Sequence, residues 1–230
     1  MAATLLRLRY RGGPDDDHPA LTMSTAPEPT ARRVLSVNVA QATAMAIQGR
    51  RILTGIGKQP VSTLAQPGHV AERIAVRALG LAGDEQADLS VHGGLSKAVY
   101  AYPHEHYAFW QTVRAQVGLQ GWHDTMPHGM LGENLTLTGL LEADAHIGDV
   151  LRFPDCVLAI SEPRRPCYKL EARLGFPHAV KMMAQSGYCG YYLSVRSGGT
   201  IAAGDAFEVE PGAREVSIRE LFAAKMRKEA

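Results

Sequence analysis

The chain has 230 residues, of which 46% are hydrophobic and 20% charged, and its 24 lysines and arginines are balanced by 23 aspartates and glutamates. This composition is typical of a globular protein with a real core, and it lacks the cationic excess that non-specific binding to nucleic acid or anionic membranes requires. Three cysteines without a CxxC pair predict neither a disulfide framework nor a zinc site, and no apolar run approaches the ~18 residues that span a bilayer. We therefore expect a cytoplasmic protein without nucleic-acid or membrane partners.

The beginning of the chain differs in composition from the remainder. Residues 1–32 are rich in Pro, Asp, Thr and Ala and show no periodicity after LLRLRY, so we expect disorder there. Met23 is a second possible start of translation.

From Val34 onward, short β-branched or alternating segments separated by Gly-Asp and related turns predict strands. Pro103 and Gly118 bound a predicted helix, and Gly187 ends a second one. The predicted strands are RVLSVNVAQA, ERIAVRALGLAGDEQAD up to its turn, AVYAYP, LGENLTLTGLL, IGDVLRF, CVLAISEP, YCGYYLSVRSGG and AGDAFEVE, and the predicted helices are PHEHYAFWQTVRAQVG, FPHAVKMMAQSG and EVSIRELFAAKMRKEA.

The predicted strands outnumber the helices and do not alternate regularly with them. This order disfavours a doubly wound α/β sheet and favours a predominantly antiparallel barrel or sandwich with a few helices packed outside. No linker composition interrupts residues 34–210, which indicates one core.

The segment SEPRRPCYKL places a thiol, Cys167, directly after an apolar strand and beside Arg164, Arg165 and Lys169. Cationic neighbours stabilise a thiolate, which can attack an electrophile or bind a soft metal. A buried structural cysteine with solvent-facing arginines is the alternative, and local composition favours neither.

Two glycine-containing segments are candidate anion sites. In His92-Gly93-Gly94 the glycines allow backbone N–H groups to approach an anion, and His92 and Lys97 can add donors. In TGIGKQP, Lys58 lies between glycines and Pro60, although a simple hairpin tip is the more frequent explanation. Asn134 in GENL can donate and accept at the start of a strand.

Other polar residues are more simply explained by structure. Asp84, Glu85 and Asp88 are interpreted as a solvated acidic turn, and Glu133 as structural. In HEH the two histidines diverge by about 200° on a helix, so this segment is interpreted as a helix start rather than a metal site. Tyr107 and Trp110 are expected to pack in the core. Neither GxSxG nor GxGxxG is present, so a flavin or nicotinamide site is not expected.

Six segments occur in an order that resembles the MOSC family, named for the C-terminal domain of molybdenum cofactor sulfurase, and within it the bacterial YiiM-type proteins. The resemblance covers residues 34–210, and the C-terminal helix would be a remnant of a helical extension. The predicted division is residues 1–32 disordered, 33–210 MOSC domain and 211–230 helix. The segments are GKQP, GLAGDEQAD, VHGGLSKAVYAYPHEHYAFW, GENL, IGDVLRF and EPRRPCYKL.

The resemblance implies a closed, mostly antiparallel β-barrel that holds a molybdenum cofactor, with Cys167 as the molybdenum ligand. It also implies reduction of N-hydroxylated compounds, with electrons from a separate flavoprotein or iron–sulfur reductase, and the family's description includes pyridoxal phosphate binding. The implied cofactor-binding residues are Lys58, His92, Lys97, Asn134, Arg164 and Arg165.

Two alternatives to turnover stay open. Cys167 could carry a persulfide, or the protein could store and deliver the cofactor without reducing anything. A metal-free thiol sensor would need Cys156 or Cys189 as a resolving partner, and neither has a suggestive setting.

Overall fold

The computed structural model describes residues 31–64, 70–87 and 93–228. Residues 1–30 of the segment predicted to be disordered, 1–32, lie outside this part of the chain, and so does His92. Thirteen strands and four helices are present within it. The strands are β1 Arg33–Val39, β2 Thr43–Ile47, β3 Arg50–Thr54, β4 Gln59–Thr63, β5 Ile74–Arg77, β6 Gly80–Leu81, β7 Val99–Pro103, β8 Leu135–Thr138, β9 Val150–Arg152, β10 Val157–Pro163, β11 Tyr191–Ser197, β12 Gly199–Ile201 and β13 Glu208–Glu210. The helices are α1 Tyr107–Gln116, α2 Lys169–Leu174, α3 Ala179–Ser186 and α4 Ile218–Arg227, with 3₁₀ turns at Leu95–Lys97 and His104–His106.

Eight strands form one mixed sheet in the order β13-β9-β10-β11-β7-β8-β1-β4. All its neighbouring pairs are antiparallel except β7 and β8, which run parallel with Ala101 opposite Leu135. The predicted mainly β, mostly antiparallel architecture is therefore confirmed. A three-stranded sheet β12-β5-β6 and the hairpin β2-β3 complete the described strands.

The predicted closed barrel is not detected in the pairing order of the described strands. Among the described strands, β13 and β4 stand at opposite ends of the order and do not pair. The sheet instead curls until β1, one strand in from its edge, bonds to the segment that leads into β13. Val34 N–H donates to Asp205 O at 2.9 Å, Gly204 N–H to Val34 O at 2.8 Å and Phe207 N–H to Arg32 O at 3.2 Å. This short seam replaces edge-to-edge pairing.

The helices pack around the sheet and complete its core. Trp110 and Tyr107 on α1 are 0% and 1% exposed, so the predicted core pair is confirmed. Phe222 and Ile218 bury the inner side of α4, which begins with a capping box between Ser217 and Glu220. The longest helices, α1 and α4, have ten residues each, and none in the described chain is long and apolar enough to cross a membrane.

Candidate functional site

A pocket of about 660 Å³, including its open mouth, lies at the junction of β3, the acidic turn after β6, β7, β8 and the loop between β10 and α2. Five of the residues predicted from the sequence line it together. They are Lys58, Lys97, Asn134, Arg164 and Cys167. Gly93, from the predicted anion loop, lines it too, with φ at 141° in the region that favours glycine.

Arg165, predicted to bind the cofactor, is exposed and is not among the described residues that line the pocket. Adjacent positions in the same loop therefore have different surroundings, because the side chain of Arg164 is directed inward and is only 5% exposed.

Arg164 and Lys58 are the buried cations that line the pocket, and Arg164 is the one without a carboxylate partner among the described residues. Its Nη1 donates to the carbonyl of Leu131 at 3.1 Å and lies 3.5 Å from the hydroxyl of Tyr100, and its Cζ lies 4.9 Å from the Tyr100 ring centroid. Burial by itself lowers the pKa of Arg164. The electrostatic effects of the Tyr100 and Tyr192 hydroxyls and the Cys167 thiol are together larger, so the pKa of Arg164 is raised above its ordinary value. No carboxylate contacts this guanidinium within the described residues. A buried cation without an anion is expected to attract one.

Cys167 lies in the short loop between β10 and α2 and is partly exposed to the pocket. Its carbonyl accepts from Leu170 N–H at 2.8 Å, which fixes the loop to the first turn of α2. Lys169 lines the same pocket, so cationic side chains from α2 and from Arg164 border the thiol.

The other two cysteines have a different environment. Cys156 and Cys189 are 2% and 0% exposed. Burial raises the pKa of Cys156 to about 12 and also raises that of Cys189. Both stay protonated near neutral pH, which argues against either as the resolving thiol of a redox sensor.

Lys58 forms a buried ion pair with Asp84, whose side chain is 3% exposed. Asp84 Oδ1 also accepts from Ala40 N–H at 2.9 Å, and its Oδ2 accepts from Asn134 Nδ2 at 2.9 Å. The interpretation of Asp84 as part of a solvated turn is therefore wrong: it is the acceptor that three chain segments share. Burial lowers the pKa of Lys58, and Asp84 opposes this shift.

Asn134 fixes the wall of the pocket. Its Oδ1 accepts from Tyr100 N–H at 3.1 Å, and its Nδ2 also donates to the carbonyl of Asn38 at 3.2 Å. One amide thus connects β1, β7 and Asp84 at the point where β8 begins, and its hydrogen-bonding capacity is largely used within the protein.

Glu133 has the structural role predicted for it. It is 0% exposed and accepts from Gly129 N–H at 2.8 Å, Leu131 N–H at 3.0 Å and the hydroxyl of Tyr107. It holds the turn that carries Leu131, whose carbonyl receives Arg164.

The HEH segment is the start of a helix, as predicted. Its 3₁₀ turn leads into α1, and His106 Nε2 lies 2.7 Å from Glu142 Oε2 beneath the stacked ring of Tyr188. Over the described residues, no cluster of three or more His, Cys, Asp or Glu side chains could hold a metal ion.

Tyr100, Tyr192, Asp84 and Lys169 were not predicted as site residues, yet all line the pocket. Tyr100 and Tyr192 lie in strand segments whose alternation indicated only a core. Pairing between β7 and β11 sets Tyr100 opposite Tyr192, and only this pairing brings both beside Arg164.

The comparisons agree with the fold and with the resemblance. A family model described as MOSC domain matches residues 88–208, so the chain belongs to the MOSC domain family. YflK of Bacillus subtilis, an uncharacterized protein, is 34% identical over 187 residues, which cover 81% of this chain and 77% of YflK. A protein named Reductase from Gibberella moniliformis is 33% identical over 188 residues, 81% of this chain but only 31% of that protein.

The crystal structure of YiiM from Geobacillus stearothermophilus superimposes with a TM-score of 0.64 and 28% identity over 86% of this chain and 85% of that one. Within this family the chain is thus similar to YiiM-type bacterial proteins. Lys58 and Asp84 precede the stretch that the family model matches, whereas Asn134, Arg164 and Cys167 lie inside it.

Proposed function

We propose that the protein is a molybdenum-cofactor-dependent oxidoreductase that reduces N-hydroxylated compounds to amines. The observation that carries this proposal is the buried guanidinium of Arg164, which borders the same pocket as Cys167 and meets no carboxylate in the described chain. A dianionic phosphate satisfies such a cation, and a thiolate is a suitable ligand for a soft metal centre.

The residues present fit the cofactor. Arg164, Lys58, Lys97 and Lys169 give the pocket four cationic side chains, and Gly93 brings backbone close to its interior. Arg164 is the strongest candidate for the phosphate, because Lys58 already has Asp84 as its counterion. Cys167 would hold the metal.

When bound, the cofactor would supply the two electrons that, with two protons, convert R–NH–OH to the amine and water. Tyr100 keeps Arg164 in place, and burial raises the pKa of Tyr100, so the phenol stays neutral beside the cation. Asn134, which bonds to both Tyr100 N–H and Asp84, fixes the adjoining part of the wall. A separate flavoprotein or iron–sulfur reductase would deliver the electrons.

The relative named Reductase supports an oxidoreductase role, and the chain covers less than a third of that relative. Pyridoxal phosphate binding stays a prediction from the resemblance, and so do the contributions of His92 and Arg165.

The test uses protein produced in cells that synthesise the molybdenum cofactor. We expect one molybdenum per chain and conversion of a hydroxylaminopurine to its amine with reduced methyl viologen. Cys167→Ser should lose both the metal and the activity, whereas Cys156→Ala, a buried cysteine outside the pocket, should retain both. Stoichiometric molybdenum without amine formation would favour a cofactor carrier, and protein without molybdenum would refute the proposal.

A further inference from the structure

The side chain of Gln86 lies at the wall of the pocket and bonds to backbone groups of other segments. Its Oε1 accepts from Gly94 N–H at 3.1 Å, and its Nε2 donates to the carbonyl of Leu79 at 2.9 Å and lies 3.5 Å from the carbonyl of Ala98. One neutral carboxamide therefore connects the turn after β6 with the β5-β6 turn and with the chain that leads into β7.

Gly94 and Ala98 are the two ends of the 3₁₀ turn Leu95–Lys97. The carbonyl of Gly94 accepts from Lys97 N–H at 3.1 Å, and Ala98 continues into β7. The amide of Gln86 thus contacts the turn at both ends, with its oxygen at one and its nitrogen at the other. A single 3₁₀ turn has poorly aligned hydrogen bonds of its own, so such outside contacts stabilise its conformation.

Glycines allow the backbone to come close enough for these bonds. Gly80, next to Leu79, has φ at 134°, and a Cβ atom there would lie 2.7 Å from the carbonyl oxygen of Ala98. Gly94 has φ at 83°, also in the region that favours glycine. We define the Gln86 clamp as the Gln86 amide with Gly94 N–H and the carbonyls of Leu79 and Ala98.

The clamped turn contributes to the wall of the pocket. Lys97 lines the pocket, and so does Gly93, which directly precedes the clamped Gly94. The Lys97 ammonium lies 3.8 Å from Glu162 and 5.9 Å from the ring centroid of Tyr192. Those contacts direct the lysine side chain, whereas the Gln86 clamp sets the backbone from which it extends.

We propose that Gln86 is a positioning residue that holds Lys97 and the backbone of Gly93 in place for the anionic cofactor. The proposal rests on the proposed function, because the molybdenum cofactor is the anion in question. Gln86 acts through these two residues and needs no contact with the cofactor itself. A cation and backbone groups that are fixed in advance bind an anion more tightly, because ordering them on binding costs entropy.

The first measurement uses protein from cells that do not synthesise the cofactor. Gln86→Met keeps the length of the side chain but leaves Gly94 N–H without its acceptor. We expect this amide to exchange with deuterium about tenfold or more faster than in the wild type, as NMR measures. Gln41→Met is the matched control and should stay within about twofold at the same amide. Gln41 Nε2 likewise donates to a backbone carbonyl, that of Gly83 at 3.0 Å, but Gln41 is not among the described residues that line the pocket.

The second measurement uses protein from cells that produce the cofactor. After dialysis, Gln86→Met should retain about a fifth or less of the molybdenum that the wild type retains, and Gln41→Met should stay within about twofold of it. Lys97→Met tests whether Gln86 acts through Lys97. Because coupled residues have non-additive effects, Gln86→Met should lower molybdenum retention less in the Lys97→Met background than in the wild type. A general loss of packing would instead add to the effect of Lys97→Met.

Unchanged exchange at Gly94 in Gln86→Met, wild-type molybdenum retention, or additive effects with Lys97→Met would each overturn the proposal. If Gln86→Met does not fold, Gln86→Glu replaces it, since this variant keeps the size of the side chain and loses the bonds that Nε2 donates. Its molybdenum retention should fall in the same way. Wild-type protein without molybdenum refutes the proposed function, whereas equal molybdenum in the wild type and Gln86→Met refutes only the role of Gln86.

Discussion

The guanidinium of Arg164 lies over the ring of Tyr100, with its Cζ 4.9 Å from the ring centroid, and the Tyr100 hydroxyl donates to the carbonyl of Cys189 at 2.8 Å. The phenol is thus held by the loop before β11 and in turn holds the cation. The position of the cation in the pocket depends on contacts remote from the thiol in sequence.

Arg164→Lys keeps the charge but loses the planar fork that contacts both Tyr100 and Leu131. We expect molybdenum occupancy to fall about tenfold or more and the free energy of unfolding to drop by roughly 3 kcal/mol, because an ammonium would be buried with fewer partners. Elemental analysis and denaturant unfolding measure the two effects. Arg196→Lys, an exposed position on β11, is the control and should change neither. Equal occupancy in both variants would contradict the role of Arg164.

Asp84→Asn removes the counterion of Lys58 and should cost about 3–5 kcal/mol, as breaking a buried pair does. Glu85→Gln, an exposed neighbouring carboxylate, should cost less than about 1 kcal/mol. Chemical denaturation of the two variants makes the comparison, and similar losses would show that Asp84 is not the shared acceptor.

Asp84→Asn should also change how the free energy of unfolding depends on pH. The pKa of Lys58 is lowered in the folded state, so the unfolded chain binds more protons between the folded and unfolded values, and stability rises with pH over that interval. Because Asp84 raises the pKa of Lys58, the rise should begin at lower pH in Asp84→Asn than in the wild type. Unfolding free energies measured from pH 6 to 10 test this, and parallel curves would refute it.

Gly190→Ala should disturb the aromatic wall of the pocket. Gly190 has φ at 64°, and a Cβ atom there would lie 2.5 Å from the carbonyl of Ala101 and 2.9 Å from the rings of Tyr100 and Tyr102. We expect a loss of about 3 kcal/mol and reduced molybdenum occupancy. Gly187→Ala is the matched control. An alanine at its φ of 74° costs about 1 kcal/mol of backbone strain, but no atom lies within 4 Å of the added Cβ. A milder effect at position 190 than at 187 would contradict the packing described.

His128 should titrate far below an ordinary histidine. Burial, with His104 as a second cause, lowers its pKa to about 4. The folded state stays neutral while the unfolded chain takes up a proton as pH falls from 6.5 to 4, so stability declines over that interval, by an amount of about 1 kcal/mol after solvent screening. NMR titration of the imidazole measures the pKa directly, and His128→Gln should flatten this part of the stability curve.

Much of the fold follows from local sequence. The eight predicted strands and three predicted helices are all present, since alternation and glycine punctuation are local signals. Gly118 and Gly187 end their helices with φ of 74°. The β2-β3 hairpin was missed because most of its apolar residues are exposed or half-buried and Gln48 adopts the left-handed conformation usually left to glycine. How the two ends of the sheet meet could not be predicted, because it depends on the seam between β1 and residues 204–207, which no local pattern encodes.

Pocket residues could be predicted from the sequence only where the side chain itself is a thiol or a cation that suggests a ligand. Cys167, Arg164 and Lys58 stand out by type and by neighbouring prolines or glycines. Asp84 resembles a surface turn in sequence, and its burial arises from Ala40, Lys58 and Asn134, segments up to 50 residues away. Tertiary pairing, rather than any motif, makes it part of the site.

The seam between β1 and residues 204–207 has a consequence for biosynthesis. β1 is translated before the other described strands, yet Val34 cannot form its hydrogen bond until Asp205 has been translated, about 170 positions later. Such distant pairing slows folding, and a nascent chain arrested before that point would expose an unpaired strand to neighbouring polypeptides. Formation of this seam is therefore a late step in folding.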